Sequence, residues 1–351
     1  MENIGYFDGH NDVLLKLYYS KSEDPSKDFF DGNNYCHIDF KKIDISNFIG
    51  GFFAIFVPDK EPDFNFFSRM ESGNYDFPLP EPISYDHAIK VTNVMIEILN
   101  KIIDLSNGKI VLCKSGKDID EIYKNNNVGV ILHIEGAEAI DKDFKSLEKL
   151  YERGLRSIGL VWSRPNIFAT GVPFSFPKSP DIGPGLTSIG KELVKICDEK
   201  NILIDLSHLN ERGFWDVAGL SSRPLIATHS NSHELCEHSR NLTNYQLKAI
   251  KESKGIVGIN FATAFLRPDG RMISDTSLDL ILKHADHLIK HLGEEGVAIG
   301  SDFDGAIVPD KIKDLAGINL LKQRMYESNY GKEVIEKIFS KNWINFLKTN
   351  L

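Results

Sequence analysis

The sequence predicts an α/β fold, a (β/α)8 TIM barrel formed as a single domain over residues 1–351. Three observations predict it. Eight short apolar runs have strand character, helical periodicity fills most of the gaps between them, and ionisable side chains gather where the runs end.

Composition fits such a barrel. A chain of 351 residues with 42% hydrophobic and 26% charged residues has the material for one large core. The net charge of -9 argues against nucleic acid as a partner. No run approaches the roughly 18–20 apolar residues of a membrane span, and the first residues lack the basic and apolar regions of a signal peptide. A cytoplasmic location with no membrane partner is therefore expected. Cys36, Cys113, Cys197 and Cys236 are scattered and form no C-x-x-C, which argues against thiolate metal sites and redox motifs.

The first run, Ile4, Tyr6 and Phe7, leads into Asp8-Gly9-His10-Asn11-Asp12. If the strand continues, His10 and Asp12 share a face. Residues 18–46 are polar and read as a long loop with one short helix. The run 49–57 is apolar throughout and stopped by Pro58, the pattern of a strand buried on both faces. Residues 59–82, rich in Pro, Asp and Phe, read as an insertion or lid. Ile89, Val91, Val94, Ile98 and Ile102 predict a long helix over 85–105.

The run 128–135 ends on Glu135. A helix over 145–153 and a strand over 157–161 follow. Five prolines make 162–185 a loop. Thr187 or Ser188 caps the next helix, and the strand 202–206 ends on Ser207-His208. After a helical piece at 214–220, the short run 225–228 ends on His229. A loop carrying Arg240 and Asn241, a helix near 245–251, the strand 256–260, a helix from 277 to 291 and the strand 297–301 complete the pattern, the last ending on Asp302.

His10, Asp12, Glu135, His208, His229 and Asp302 thus lie at or just past strand ends, which converge at one mouth of a barrel. These residue types suit two divalent metals, usually zinc or a similar first-row ion, His10 and Asp12 on one, His208 and His229 on the other, with Glu135 bridging. Two cations about 3.5 Å apart hold a hydroxide between them and clamp a carbonyl oxygen as charge develops on it. Asp302 would orient that water and pass its proton to the leaving nitrogen. The expected chemistry is metal-assisted hydrolysis.

Seven pieces carry a resemblance: Asp8-Gly9-His10-Asn11-Asp12, Glu135-Gly136, Gly154-Leu155-Arg156, Asp205-Leu206-Ser207-His208, His229-Ser230, Ser239-Arg240-Asn241 and Gly300-Ser301-Asp302-Phe303-Asp304-Gly305. In these pieces and their order the chain resembles the membrane (renal) dipeptidases, peptidase family M19, of the metal-dependent amidohydrolase superfamily. The resemblance implies a di-zinc barrel that hydrolyses dipeptides, often with a D-residue at the C-terminal position, with Glu135 as bridging ligand and Asp302 as acid/base. It also implies that Arg240, which alone would read as a surface arginine, pairs with the substrate carboxylate.

Two positions depart from the family pattern. Trp162 stands where family members have a histidine that polarises the scissile carbonyl, and Phe265 where they have a tyrosine. Trp162 is accordingly assigned to the substrate side. The change implies altered substrate choice, a role taken over by Arg164 or His133, or weakened catalysis. The alternatives to a dipeptidase are a hydrolase of another small amide or lactam and a peptide-binding homologue without turnover. Loops 59–82 and 163–185 are expected to roof the site, and the oligomeric state stays open, a homodimer included. Elsewhere His284, His287 and His291 read as a solvated helix face, Asp304 as a structural carboxylate and Glu138 as a helix N-terminal charge.

Overall fold

The computed structural model of the chain describes residues 4–32, 34–61, 63 and 65–351. Eight parallel strands follow one another around a barrel: β1 (Tyr6–Asn11), β2 (Phe48–Phe56), β3 (Val128–Glu135), β4 (Leu155–Gly159), β5 (Leu203–Asp205), β6 (Ile226–Ala227), β7 (Ile256–Ile259) and β8 (Val297–Ile299). Spatial order equals chain order, and each falls where an apolar run predicted it. The ring is nearly closed just above β8, where Asp302 N–H donates to the His10 carbonyl at 3.1 Å and Asp12 N–H to the Phe303 carbonyl at 2.8 Å. Asp8 reinforces the seam by accepting from the Ser301 backbone and hydroxyl at 2.8 and 2.6 Å.

Side chains alternate along a strand, so the interior is built in layers. The lowest is apolar. Phe7, Phe52, Ile131, Leu203, Ile226, Ile256 and Ala298 pack with Trp343 of the helix Asn342–Asn350, which seals the floor. Climbing β3 in steps of two leads from Ile131 to His133 and then to Glu135. In the middle layer Gly258 and Gly300 leave room for a backbone: a Cβ on either would come within 1.9 or 1.8 Å of the Thr228 carbonyl oxygen.

Outside the barrel, the helix Tyr85–Leu105 has the predicted bounds and buries Val91, Met95, Ile98 and Ile102, whereas Val94 points to solvent. The helix Ser188–Glu199 is capped by Thr187, whose hydroxyl accepts from Gly190 N–H at 3.0 Å. Residues 18–46 hold two helices rather than one, Pro25–Asp31 and Phe40–Ser46, started by the side chains of Asp24 and Asp39. Ile110–Leu112, too short for a pattern in sequence, adds a strand to the lower half of β3 while β4 pairs with the upper half. Loops 59–82 and 163–185 meet in a small antiparallel ribbon, Tyr75–Asp76 with Ser175–Phe176. All four cysteines are buried, and among the described residues no helix is long and apolar enough to cross a membrane.

The expectation for the three histidines on helix Leu278–Leu292 holds in part. His287 and His291 stack at the surface, 4.5 Å between rings. His284 is buried instead, accepting from Ser232 N–H at 3.1 Å through Nδ1 and reaching the Leu266 carbonyl at 3.1 Å through Nε2. The helix turns that position inward, where Ser232 in the loop after β6 and Leu266 beyond β7 satisfy one ring nitrogen each.

Candidate metal centre and substrate mouth

Glu135 ends β3 and points up the barrel axis. Around its Oε1 stand His208 Nε2 at 3.0 Å, His229 Nε2 at 3.3 Å and His10 Nε2 at 3.6 Å, the last also 3.2 Å from Asp12 Oδ2. Asp302 joins His10 and Asp12 as a third group around a common point. The structure therefore brings together all six side chains expected at the strand ends. They reach it from different local geometries. β1 changes register between Asp8 and Asn11 and stops there, so Asp12 lies beyond the strand, at the start of the helix Val13–Tyr18. Asp302 sits in a left-handed turn, φ 60°.

Neighbouring hydroxyls aim the imidazoles. The Thr228 hydroxyl donates to Asp205 Oδ2 at 2.6 Å, so at 2.8 Å it accepts from His229 Nδ1–H. That leaves the Nε2 lone pair of His229 facing Glu135. Ser163 Oγ lies 2.9 Å from His208 Nδ1. Burial holds His208 and His229 well below the usual histidine range, so both are neutral, as metal ligands must be.

The remaining electrostatics are those of crowded negative charge. Burial pushes the carboxyls of Glu135 and Asp302 upward. For His10 burial favours the neutral ring, but the carboxylates of Glu135 and then Asp12 outweigh it and raise it to about 10. Both ring nitrogens of His10 and Oδ1 of Asp12 are buried without a hydrogen-bond partner among the described residues. The lone pairs of neutral His208 and His229 and the carboxylate oxygens of Asp12, Glu135 and Asp302, gathered around His10, are a donor set for divalent cations.

Asp302 Oδ2 accepts from Asn260 Nδ2 at 2.9 Å. Gly305 stands directly behind the pair of aspartates: a Cβ there would lie 2.2 Å from Asp12 Oδ2 and 2.4 Å from Asp302 Oδ1. Asp304 accepts from His37 N–H at 2.7 Å and Ile38 N–H at 3.3 Å, the structural role expected of it.

Arg240 is buried rather than at the surface. Its Nη1 donates to the Ser207 carbonyl and to Ser230 Oγ, and its Nη2 to the His229 carbonyl at 3.0 Å. Of five N–H groups, Nε–H and one on Nη2 remain. Trp162 lies beside the site, its ring 6.0 Å from His208 and 4.9 Å from Phe56. Phe265 lies 5.4 Å from the Arg240 guanidinium carbon.

Neither Arg164 nor His133, the residues expected to polarise the scissile carbonyl if Trp162 does not, stands at the mouth. Arg164 is fully buried and bound to Glu138 at 2.9 Å, to Asp59 at 3.3 Å and to the Val57 carbonyl. Glu138 is thereby corrected too: it is one half of a buried ion pair, because its short 3-10 turn folds inward onto Arg164. His133 sits one layer below Glu135, with Nδ1 2.9 Å from Ser157 Oγ. Sequence reasoning gave no role to Ser163, Thr228, Asn260 and Gly305, although Thr228 and Asn260 end apolar runs and Gly305 closes the piece around Asp302.

Comparison with known proteins agrees with this geometry. The family of membrane dipeptidases (peptidase family M19) matches residues 1–350. A metallo peptidase from Rhodobacter sphaeroides, liganded with a phosphinate mimic of the dipeptide L-Ala-D-Ala, superposes with a TM-score of 0.97 at 42% identity, covering 99% of each chain. An uncharacterized protein in the pqqA 5' region of Klebsiella pneumoniae is 46% identical over 253 residues, 72% of this chain and 93% of that one. An uncharacterized dipeptidase of Schizosaccharomyces pombe is 27% identical over 350 residues, 97% of this chain and 79% of that one. The chain belongs to peptidase family M19, the membrane dipeptidase family, and is a metal-dependent hydrolase of peptide bonds.

Proposed function

We propose that residues 1–351 work as one metallo-hydrolase domain that cleaves dipeptides at a pair of zinc ions, including dipeptides with a D-residue at the C-terminal position. The observation that carries this reading is the convergence of His10, Asp12, His208 and His229 on Glu135, with Asp302 alongside. His10 and Asp12 would hold one zinc, His208 and His229 the other, and Glu135 would give an oxygen to each. The L-Ala-D-Ala mimic on the Rhodobacter sphaeroides protein supports the substrate class.

When bound, the zinc pair supplies Lewis acidity toward the scissile carbonyl and lowers the pKa of a water. The chain's own residues do the rest. Asp302 takes a proton from the attacking water and returns it to the amide nitrogen as the C–N bond breaks, while Asn260 fixes which carboxylate oxygen faces the substrate. Arg240 receives the terminal carboxylate on Nε–H and the remaining Nη2 hydrogen, a side-on fork suited to two oxygens. Trp162 offers a flat wall and one N–H beside His208. Every group comes from one chain, so the chemistry needs no second subunit. A cytoplasmic setting fits the buried, dispersed cysteines.

The test is hydrolysis of L-L and L-D dipeptides by zinc-loaded protein, with metal content measured on the same sample. Turnover at two metals per chain is expected. Two bound metals with cleavage only of another amide or a lactam would overturn the dipeptide assignment.

A further inference from the structure

Between His208 and Arg240 the side of the mouth is a run of aromatic rings. Phe56, the last residue of β2, leads to Trp162, which lies 5.5 Å from Phe174. Phe174 stacks on Phe265 at 5.9 Å with 14° between the planes, and Phe265 reaches Arg240. The Arg164 guanidinium carbon lies 5.3 Å from the Trp162 ring, and that arginine's own bonds to Glu138 and Asp59 fix it there. The wall is thus rigid as well as apolar.

At the Arg240 end two buried donors have no acceptor among the described residues, Arg240 Nε and His238 Nε2. His238 Nδ1 accepts the Arg240 backbone N–H at 3.0 Å, which puts the imidazole hydrogen on Nε2. Its ring lies 4.5 Å from Phe265. A buried donor left unpaired is destabilising, and an arriving anionic group relieves it.

We propose that the site selects dipeptides by a bulky apolar C-terminal side chain lying on the Trp162–Phe174–Phe265 wall, with the terminal carboxylate held by Arg240 and His238. This rests on the dipeptidase reading above. A scissile bond over Glu135 and His208 and a carboxylate at Arg240 leave one residue to span the gap, the C-terminal one. Its side chain then runs along the rings. An apolar group gains by leaving water there, whereas an ammonium or carboxylate would be desolvated without a partner.

The experiment is kcat/KM for a matched series of alanyl dipeptides with Gly, Ala, Leu, Phe, Asp or Lys second, in both configurations, using zinc-loaded protein. Phe and Leu are expected to exceed Gly by about 10–100-fold, with Asp and Lys lowest. In Trp162→Ala and Phe174→Ala the Phe-to-Gly ratio should fall by about tenfold. Because it is a ratio within one preparation, it does not depend on how much of a variant is folded. Amidating the C-terminus of Ala-Phe should cost at least about 100-fold, and this penalty should shrink in His238→Phe. A ratio within about threefold across Gly, Leu and Phe in a protein that cleaves Ala-Ala would overturn the inference and leave the dipeptidase reading standing. No cleavage of any dipeptide at two metals per chain would overturn the reading itself.

Discussion

Thr228 and His229 are joined side chain to side chain, 2.8 Å from Oγ1 to Nδ1, and the threonine passes its own hydrogen to Asp205. The consequence is a fixed tautomer, with the lone pair of His229 turned toward Glu135. Thr228→Val keeps the shape and removes the hydroxyl. Metal affinity, read by chelator competition, is expected to fall about 10–100-fold with the fold intact. Unchanged affinity would show that the hydroxyl does not orient the ring.

Asp302 is expected to move protons rather than to be needed for loading zinc. Asp302→Asn should lose about 10²–10⁴ in kcat while metal content stays at the wild-type level. Retention of full hydrolysis would remove Asp302 from the mechanism.

Gly305 should be as sensitive as any charged residue of the site. The methyl of Gly305→Ala would press on Asp12 and Asp302 at once, and neither can retreat without leaving the centre. Loss of bound metal and a drop in kcat/KM of at least about 100-fold are expected, with circular dichroism unchanged. Normal metal content would mean that the loop yields.

His284 links stability to pH. Burial lowers its pKa from 6.5 to about 4. Between those values the unfolded chain binds a proton that the folded protein refuses, so stability falls as pH falls through this window, by at most about 3 kcal/mol. Urea unfolding at pH 7 and pH 4.5, with chelator present throughout, should show a smaller difference for His284→Gln than for wild type. Equal differences would mean that His284 takes up its proton in the folded state.

The barrel was legible because buried strands and amphipathic helices leave strong patterns, and because strand ends in this fold share one mouth. That rule alone assembled His10, Asp12, Glu135, His208, His229 and Asp302. What escaped was set by packing between distant segments. Nothing local marks Ser163 as the partner of His208, or Gly305 as the backing of two aspartates. Glu138 was read as a helix N-terminal charge and His284 as solvent-facing because their partners, Arg164 and Ser232, lie 26 and 52 residues away. Of the helices Pro25–Asp31 and Phe40–Ser46 only one was expected, for a different reason: both Asp caps were present, but the surrounding polarity suggested loop.

The apolar floor closed by Trp343 lies two steps of β3 below the chemistry. Cohesion and catalysis therefore occupy separate storeys of one molecule. Trp162 and Phe265 belong to the upper one, in segments that follow strand ends. A lineage can exchange such residues one at a time and change its diet while the foundation keeps the same sequence.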